Sequence, residues 1–265
     1  MQNWKAIILT ASVFACASSV LADGKILTMI SEGGGSGSIG NSFKINLGSD
    51  IWQIDHDGYA VNASFIDGND FVLGLLSQDG NLEIQPPVDW DGILLQSQGS
   101  YVSICHRADV KIGEQSYDIR EFNPERVNLG GEDALKPEDV AFMDAIENEN
   151  VSFVQLPLVI YNGTVDVREV EGAQIAIRRF AFENENGSMG IYQTHNPMTL
   201  YEATKELLEL NSKEFGEQRV ATAVSLPMGE HDYCMNWGFL NVAPCGTNLK
   251  EHEPKMILSI TNSMP

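Results

Sequence analysis

Hydrophobic residues recur every three or four positions between residues 199 and 215, and this pattern predicts an amphipathic helix. Its apolar positions are Leu200, Ala203, Leu207 and Leu210. Thr199 and Glu202 have the T-x-x-E spacing of a capping box, and Gly216 stands where a left-handed residue ends many helices. The opposite face carries Glu202, Glu206, Glu209 and Lys213. Because only one face is apolar, we expect a surface helix docked on a sheet.

A second, shorter helix is predicted for residues 137–147. Pro137 suits a first helical turn, and Asp133 is available as a cap before it. Val140, Met143 and Ile146 then fall on one face of this helix. We therefore expect that face to pack against the rest of the chain.

Most other hydrophobic residues form short runs between turn signals, which is typical of β-strands. Asp-Gly pairs recur ten or twelve residues apart at positions 57–58, 67–68, 79–80 and 91–92. Asp-Gly and Asn-Gly tolerate the positive φ of tight hairpin turns, and Asn-Gly occurs at 162–163 and 186–187. Further strands are predicted at 151–161, 164–171, 174–182, 190–194, 219–226 and 256–261.

These elements predict a mainly β, α+β fold, in which sandwich-like or barrel-like strands carry two amphipathic helices packed on them. The predicted organisation is a signal peptide at 1–22, a flexible Gly/Ser-rich segment at 23–42, a β-rich lobe at 43–128 and an α+β lobe at 129–265. We leave open whether the two lobes share one core.

The first 22 residues have the features of a secretory signal: Lys5, an apolar run over 6–15, and small or aliphatic residues before position 23. Cleavage after Ala22 is the preferred interpretation. Lipidation of Cys16 is the alternative, although the bulky Phe14 fits a lipobox poorly. No later stretch of about eighteen apolar residues suggests a transmembrane segment. We therefore expect a secreted or periplasmic protein.

The chain is acidic, with 37 Asp and Glu residues against 16 Lys and Arg residues and a formal net charge of −21. A field of this sign repels nucleic acid and anionic membranes, so we expect neither as a partner. The expected partner is an unidentified extracytoplasmic ligand or protein.

Three cysteines follow the predicted signal, in a compartment where thiols oxidise. Cys234 and Cys245 enclose a short glycine-containing loop and are the predicted disulfide. Cys105 lies in an apolar alternation and is expected to be a buried free thiol. Its pairing with either of the other two remains open, because connectivity cannot be read from sequence.

The sequence contains no complete catalytic or metal-binding signature. Its five histidines are dispersed without an H-x-H or H-E-x-x-H pair, so we predict no metal and no cofactor. The D-x-D-G groups at 55–58 and 89–92 lack the remaining ligands of a calcium loop, and turn formation is the preferred interpretation. No G-x-S-x-G elbow is present. Catalytic residues stay unassigned.

The candidate ligand-binding residues are His231, Trp237, Trp52 and Trp90. His231 and Trp237 belong to the predicted disulfide loop and its approach, which is a functional surface or only a structural staple. The tryptophans offer flat faces for sugar stacking, but they are equally expected in a core. The pattern favours a β-rich binding or structural protein, surface-associated or carbohydrate-recognising. The alternative is a secreted, glycosidase-like hydrolase that uses two carboxylates.

Overall fold

The computed structural model describes residues 20–22, 25–30, 42–48, 58–67, 71–85, 87–97, 102–130, 134–214, 219–228, 234–237 and 256–263. Within these residues the helices are α1 (Pro137–Asn148), α2 (Leu200–Glu214) and a 3₁₀ helix (Pro124–Asn128). The strands are β1 (Val20–Ala22), β2 (Lys25–Ile30), β3 (Ser42–Gly48), β4 (Gly58–Asn62), β5 (Leu76–Gln78), β6 (Asn81–Glu83), β7 (Gly92–Gln96), β8 (Ser103–His106), β9 (Val110–Ile112), β10 (Gln115–Tyr117), β11 (Ser152–Leu156), β12 (Leu158–Tyr161), β13 (Thr164–Val165), β14 (Arg179–Asn184), β15 (Met189–Gln193), β16 (Val220–Leu226), β17 (Cys234–Trp237) and β18 (Ile257–Ser263).

The described strands form three larger antiparallel sheets and a two-stranded ribbon of β10 and β9. Sheet I has seven strands in the order β1-β2-β15-β14-β16-β12-β13. Sheet II has five, in the order β6-β5-β11-β7-β8, and sheet III has four, in the order β17-β4-β18-β3. The predicted fold class, mainly β with two helices, is confirmed.

The central core lies where the inner faces of the three sheets meet. It includes Leu47, Val61, Leu94, Val154, Leu156, Ala181, Ile191, Val224 and Leu258, all buried. Alternation along a strand sends successive side chains to opposite faces, so Val154 of β11 joins this core while Phe153 points outward. The sheets therefore pack as a sandwich, as predicted.

Each helix covers the outer face of one sheet. The cluster over sheet I contains Phe180, Phe182, Tyr192, Ala203 and Leu207, the last two from α2. The cluster over sheet II contains Ile93, Leu95, Phe153, Phe142 and Ile146, the last two from α1. A fully buried Phe or Leu side chain contributes about 1.5–3 kcal/mol through removal of its apolar surface from water. Through these two sheets the layers follow the order α2, sheet I, sheet II and α1.

Helix α2 begins with the predicted capping box. The Thr199 backbone N–H donates to Glu202 Oε2 at 3.0 Å, and the Glu202 N–H donates to Thr199 Oγ1 at 3.2 Å. Leu207 is fully buried, which confirms the docking face. Glu206 was expected on the solvent-exposed face but is half-buried. The hydroxyl of Tyr192 on β15 donates a hydrogen bond to its carboxylate. A buried tyrosine hydroxyl needs such a partner.

Helix α1 has the predicted bounds to within a residue, but its buried face is rotated from the predicted one. Phe142 and Ile146 are buried, whereas Val140 is 45% exposed. The large Phe142 ring decides the phase, since it packs edge-on against Phe122 at 5.2 Å between ring centroids. Asp133 lies outside the described residues. The cap is instead the carboxylate of Asp139, which accepts from the Lys136 backbone N–H at 3.2 Å.

Two of the predicted hairpin turns are confirmed in detail. Asp79 and Gly80 have φ of 47° and 83° between β5 and β6. Asn162 and Gly163 have φ of 50° and 70° between β12 and β13. Both pairs therefore have the positive φ that a tight two-residue hairpin requires.

The predicted turn at Asp91-Gly92 is wrong, because Gly92 is the first residue of β7 and pairs with Leu156 and His106. A Cβ at this position would lie 2.5 Å from Val224 Cγ1 and 2.8 Å from the Leu156 carbonyl oxygen. The glycine is needed because sheets I and II approach each other closely here.

Strands from both predicted lobes share sheets. β11 lies between β5 and β7 in sheet II, and β18 lies between β4 and β3 in sheet III. β2 falls within the 23–42 segment that the sequence pattern assigned to a flexible region, and it pairs with β15. β1 lies within the predicted signal peptide. No helix in the described part of the chain is both long enough and apolar enough to cross a membrane.

Candidate functional site

Of the four predicted ligand-binding residues, only Trp90 and Trp237 lie in the part of the chain that the structure describes. His231 and Trp52 lie outside the described residues, as does Cys245 of the predicted disulfide. Trp237 is the last residue of β17 and pairs with Gly58. Trp90 is half-buried, with its ring centroid 5.1 Å from that of Phe65. Cys105 is a free, half-buried thiol, and burial raises its pKa.

The two aspartates of the D-x-D-G group at 89–92 both contact Arg107. Asp89 Oδ1 lies 2.9 Å from Arg107 Nη2, and Asp91 Oδ1 lies 2.5 Å from Arg107 Nε. The second contact is an ion pair without hydrogen-bond geometry, since the buried Nε has no hydrogen-bond acceptor. No cluster of His, Cys, Asp and Glu suited to a metal occurs within the described ranges.

An open groove of about 710 Å³ lies between the β10 region and the start of α1. Its lining residues are Ser116, Tyr117, Asp118, Arg120, Glu121, Lys136, Glu138, Asp139 and Ala141. The ribbon of β9 and β10 is fixed to α1 by Tyr117, whose ring centroid lies 5.5 Å from that of Phe142. This volume falls within the ~300–1,000 Å³ range of small-molecule sites. We therefore name it the candidate site.

Two ion pairs orient the polar groups of the groove. Arg120 Nε and Nη2 donate to the two carboxylate oxygens of Asp118 at 2.9 and 2.5 Å. Lys136 Nζ donates to Glu121 Oε2 at 2.5 Å. All four side chains are largely exposed to solvent. Exposed pairs of this kind contribute little to stability, so a ligand can compete for their atoms at low cost.

The ion pairs keep both carboxyl groups ionised. The hydrogen bond from Arg120 lowers the pKa of Asp118 to about 2. The hydrogen bond from Lys136 lowers the pKa of Glu121, and the same bond raises the pKa of Lys136. At neutral pH these two carboxylates are therefore hydrogen-bond acceptors only.

An aromatic corner formed by His106 and Tyr161 lies outside the lining of the groove. Their ring centroids are 4.9 Å apart, and Tyr161 is 37% exposed. His106 Nδ1 accepts from the Ala108 backbone N–H at 3.0 Å, which leaves Nε2 to carry the proton of the neutral ring. Arg120 is the main cause of the lowered pKa of Asp118, and His106 is a minor one.

A half-buried carboxyl group on the inner face of sheet I has the opposite pKa shift. Glu183 on β14 shares the inward face with Ala181, and burial raises its pKa. Its Oε2 accepts from the backbone N–H of Ile104 on β8 at 3.0 Å. The side chain therefore links sheet I to the edge strand of sheet II.

Sequence reasoning missed the groove because its partners are distant in the chain. Glu121 and Lys136 are fifteen positions apart and meet only because α1 packs beside β10. The Asp118-x-Arg120 spacing was a usable local signal, since two residues of opposite charge at this separation in an irregular segment can pair directly. Charge pairing of this kind is common on solvated surfaces, so the spacing alone would not have identified a groove.

A scan against protein-family models and a search of curated proteins find no match for this sequence. Among solved structures, the chain is similar to the zebrafish N-acetylglucosamine-1-phosphodiester alpha-N-acetylglucosaminidase catalytic domain auto-inhibited by its pro-peptide. The identity is 12% and the TM-score 0.47, over 83% of this chain and 73% of that one. It is also similar to a hypothetical protein from Synechocystis, with 13% identity and a TM-score of 0.48. The match covers 90% of this chain and spans 59% of that protein. Similarity at this level says nothing about the activity of the present chain.

Proposed function

We propose that this chain is an exported binding protein that takes a hydroxyl-rich, carbohydrate-type ligand in the groove between β10 and α1. The observation that carries the proposal is the groove itself, with donors and acceptors held side by side. Arg120 and Lys136 present N–H groups, while Asp118 and Glu121 present carboxylate oxygens. Sugar hydroxyls both donate and accept, so they match such a mixed lining.

The state of two groove carboxyls, those of Asp118 and Glu121, favours binding over hydrolysis. A carboxylate-based glycosidase needs one carboxyl that stays protonated as a general acid, with a raised pKa. Hydrogen bonds lower the pKa values of Asp118 and Glu121 instead. Glu183 has a raised pKa, but it faces the interior and is engaged by the Ile104 N–H. The proposal is therefore a binding module, and the hydrolase remains its alternative.

Titration calorimetry against a panel of neutral, cationic and anionic tetrasaccharides tests the proposal. We expect saturable binding of at least one class by the parent protein. Arg120→Gln should weaken that binding, because Asp118 and the ligand both lose the fixed guanidinium. Arg168→Gln, an exposed arginine in the loop after β13, is the matched control and should bind like the parent. Absence of binding across the panel, or product formation from any member, would overturn the binding-module proposal.

A further inference from the structure

The groove has an excess of negative charge at its wall. Its carboxylates are Asp118, Glu121, Glu138 and Asp139, and its cations are Arg120 and Lys136. Each cation is already paired with one carboxylate at 2.5 Å. The whole chain carries a formal net charge of −21, so the surrounding field has the same sign. An anionic ligand would have to displace an internal carboxylate from its partner.

Glu138 is the groove carboxylate left for a ligand. It lies in the first turn of α1 and is exposed; the close ion pair of Lys136 is with Glu121, and Glu138 acts on Lys136 only at longer range. Asp139 is committed, since it is buried and accepts from the Lys136 backbone N–H. Together these two acidic residues already occupy the positive end of the helix dipole. The start of α1 is therefore not an open anion site.

The groove volume of about 710 Å³ accommodates a ligand larger than a simple ion.

We propose that the groove selects an amine-bearing saccharide over neutral and anionic ones, with Glu138 contacting the ammonium group. The inference rests on the proposed function, because it specifies the ligand class of the same site. The polar pairs bind the hydroxyls, and Glu138 supplies a groove carboxylate that no close ion pair engages.

The test compares three tetrasaccharides at about pH 6 by titration calorimetry: a β-1,4-glucosamine tetramer, cellotetraose and a uronate tetramer. The first two differ by amine against hydroxyl at C2, so their difference reports the charge. We expect the glucosamine tetramer to bind tightest, and its advantage to shrink as the salt concentration rises tenfold. Glu138→Gln should reduce the advantage about two- to fivefold, which is the range of an exposed ion pair.

Glu147→Gln is the matched control, because it removes the same charge from an exposed position in the last turn of the same helix, outside the groove. It should leave the preference unchanged. If cellotetraose binds as tightly as the glucosamine tetramer, or the uronate binds tighter, the charge selectivity is wrong while saccharide binding stands. If Glu147→Gln reduces the preference as much as Glu138→Gln, a general surface field replaces the specific contact. If no tetrasaccharide binds the parent, the proposed function fails with the inference.

Discussion

At the scale of single residues, buried and half-buried polar side chains link neighbouring layers. Glu183 ties sheet I to the backbone of β8, and Tyr192 ties β15 to Glu206 of α2. Burial raises the pKa of both Glu183 and Tyr192. Neither link was visible in the sequence pattern, because Glu183 occurs in an apolar strand and Glu206 on a charged helix face. Each link depends on a partner in the neighbouring layer, which the local sequence does not identify.

Glu183 makes stability depend on pH in a predictable direction. Because its pKa is raised in the folded state, the unfolded chain releases this proton at lower pH than the folded chain does. The folded state is then penalised as pH rises through the ordinary glutamate range, and the penalty is absent below it. We predict that Glu183→Gln gains stability relative to the parent on going from about pH 3.5 to about pH 7, on either side of the usual glutamate pKa.

Urea midpoints of the parent and the variant at both pH values measure this difference. Glu185→Gln is the control, because Glu185 is an exposed glutamate in the turn that follows β14. It should show the same difference from the parent at both pH values. A Glu183→Gln variant that loses stability relative to the parent as pH rises would mean that the ionised carboxylate is favoured by its surroundings, contrary to the burial argument.

At the scale of elements, the sequence predicted the extent of the helices better than it predicted which face of a helix is buried. The α2 pattern specified its start, its cap and its docking face, because four apolar positions and a capping box agree. The shorter α1 pattern specified only its extent. Val140 and Ile146 are six residues apart and fit one stripe loosely, so the Phe142 ring determined the actual face. Asp91-Gly92 is the same dipeptide as the turn at 79–80, but its glycine is required by the close approach of sheet I.

The docking of α2 gives a prediction at this scale. Leu207 is fully buried against the outer face of sheet I, while Glu209 is exposed. Truncating a buried leucine removes transfer free energy and leaves a cavity, so Leu207→Ala should cost about 2–5 kcal/mol. Glu209→Ala should change stability by no more than about 0.5 kcal/mol. Denaturant midpoints of the two variants check the prediction, and equal shifts would place the docking face elsewhere on the helix.

At the scale of the whole molecule, strands that are distant in the sequence are neighbours in the sheets. The lobes at 43–128 and 129–265 were predicted from a change in the hydrophobic pattern along the sequence. Sheets II and III, however, contain strands from both ranges. β11 is the central strand of sheet II and exchanges hydrogen bonds with β5 on one side and β7 on the other. Such long-range pairing depends on the complete core and leaves no local signal, which is also why the groove between β10 and α1 could not be anticipated.

The last prediction concerns the fragment 43–128 expressed alone. Without β11, strands β5 and β7 lose their shared neighbour, and without β18, strands β3 and β4 lose theirs. Each missing strand exposes two rows of unpaired backbone groups and uncovers the central core, which a fragment of this size cannot compensate. We expect no cooperative unfolding transition, strong binding of a hydrophobic dye, and recovery of the transition when the fragment 129–265 is added. The full chain is the control and should unfold with coincident near- and far-ultraviolet dichroism. A cooperative transition in the isolated fragment would show that the first lobe folds independently and that the shared sheets are a docking arrangement.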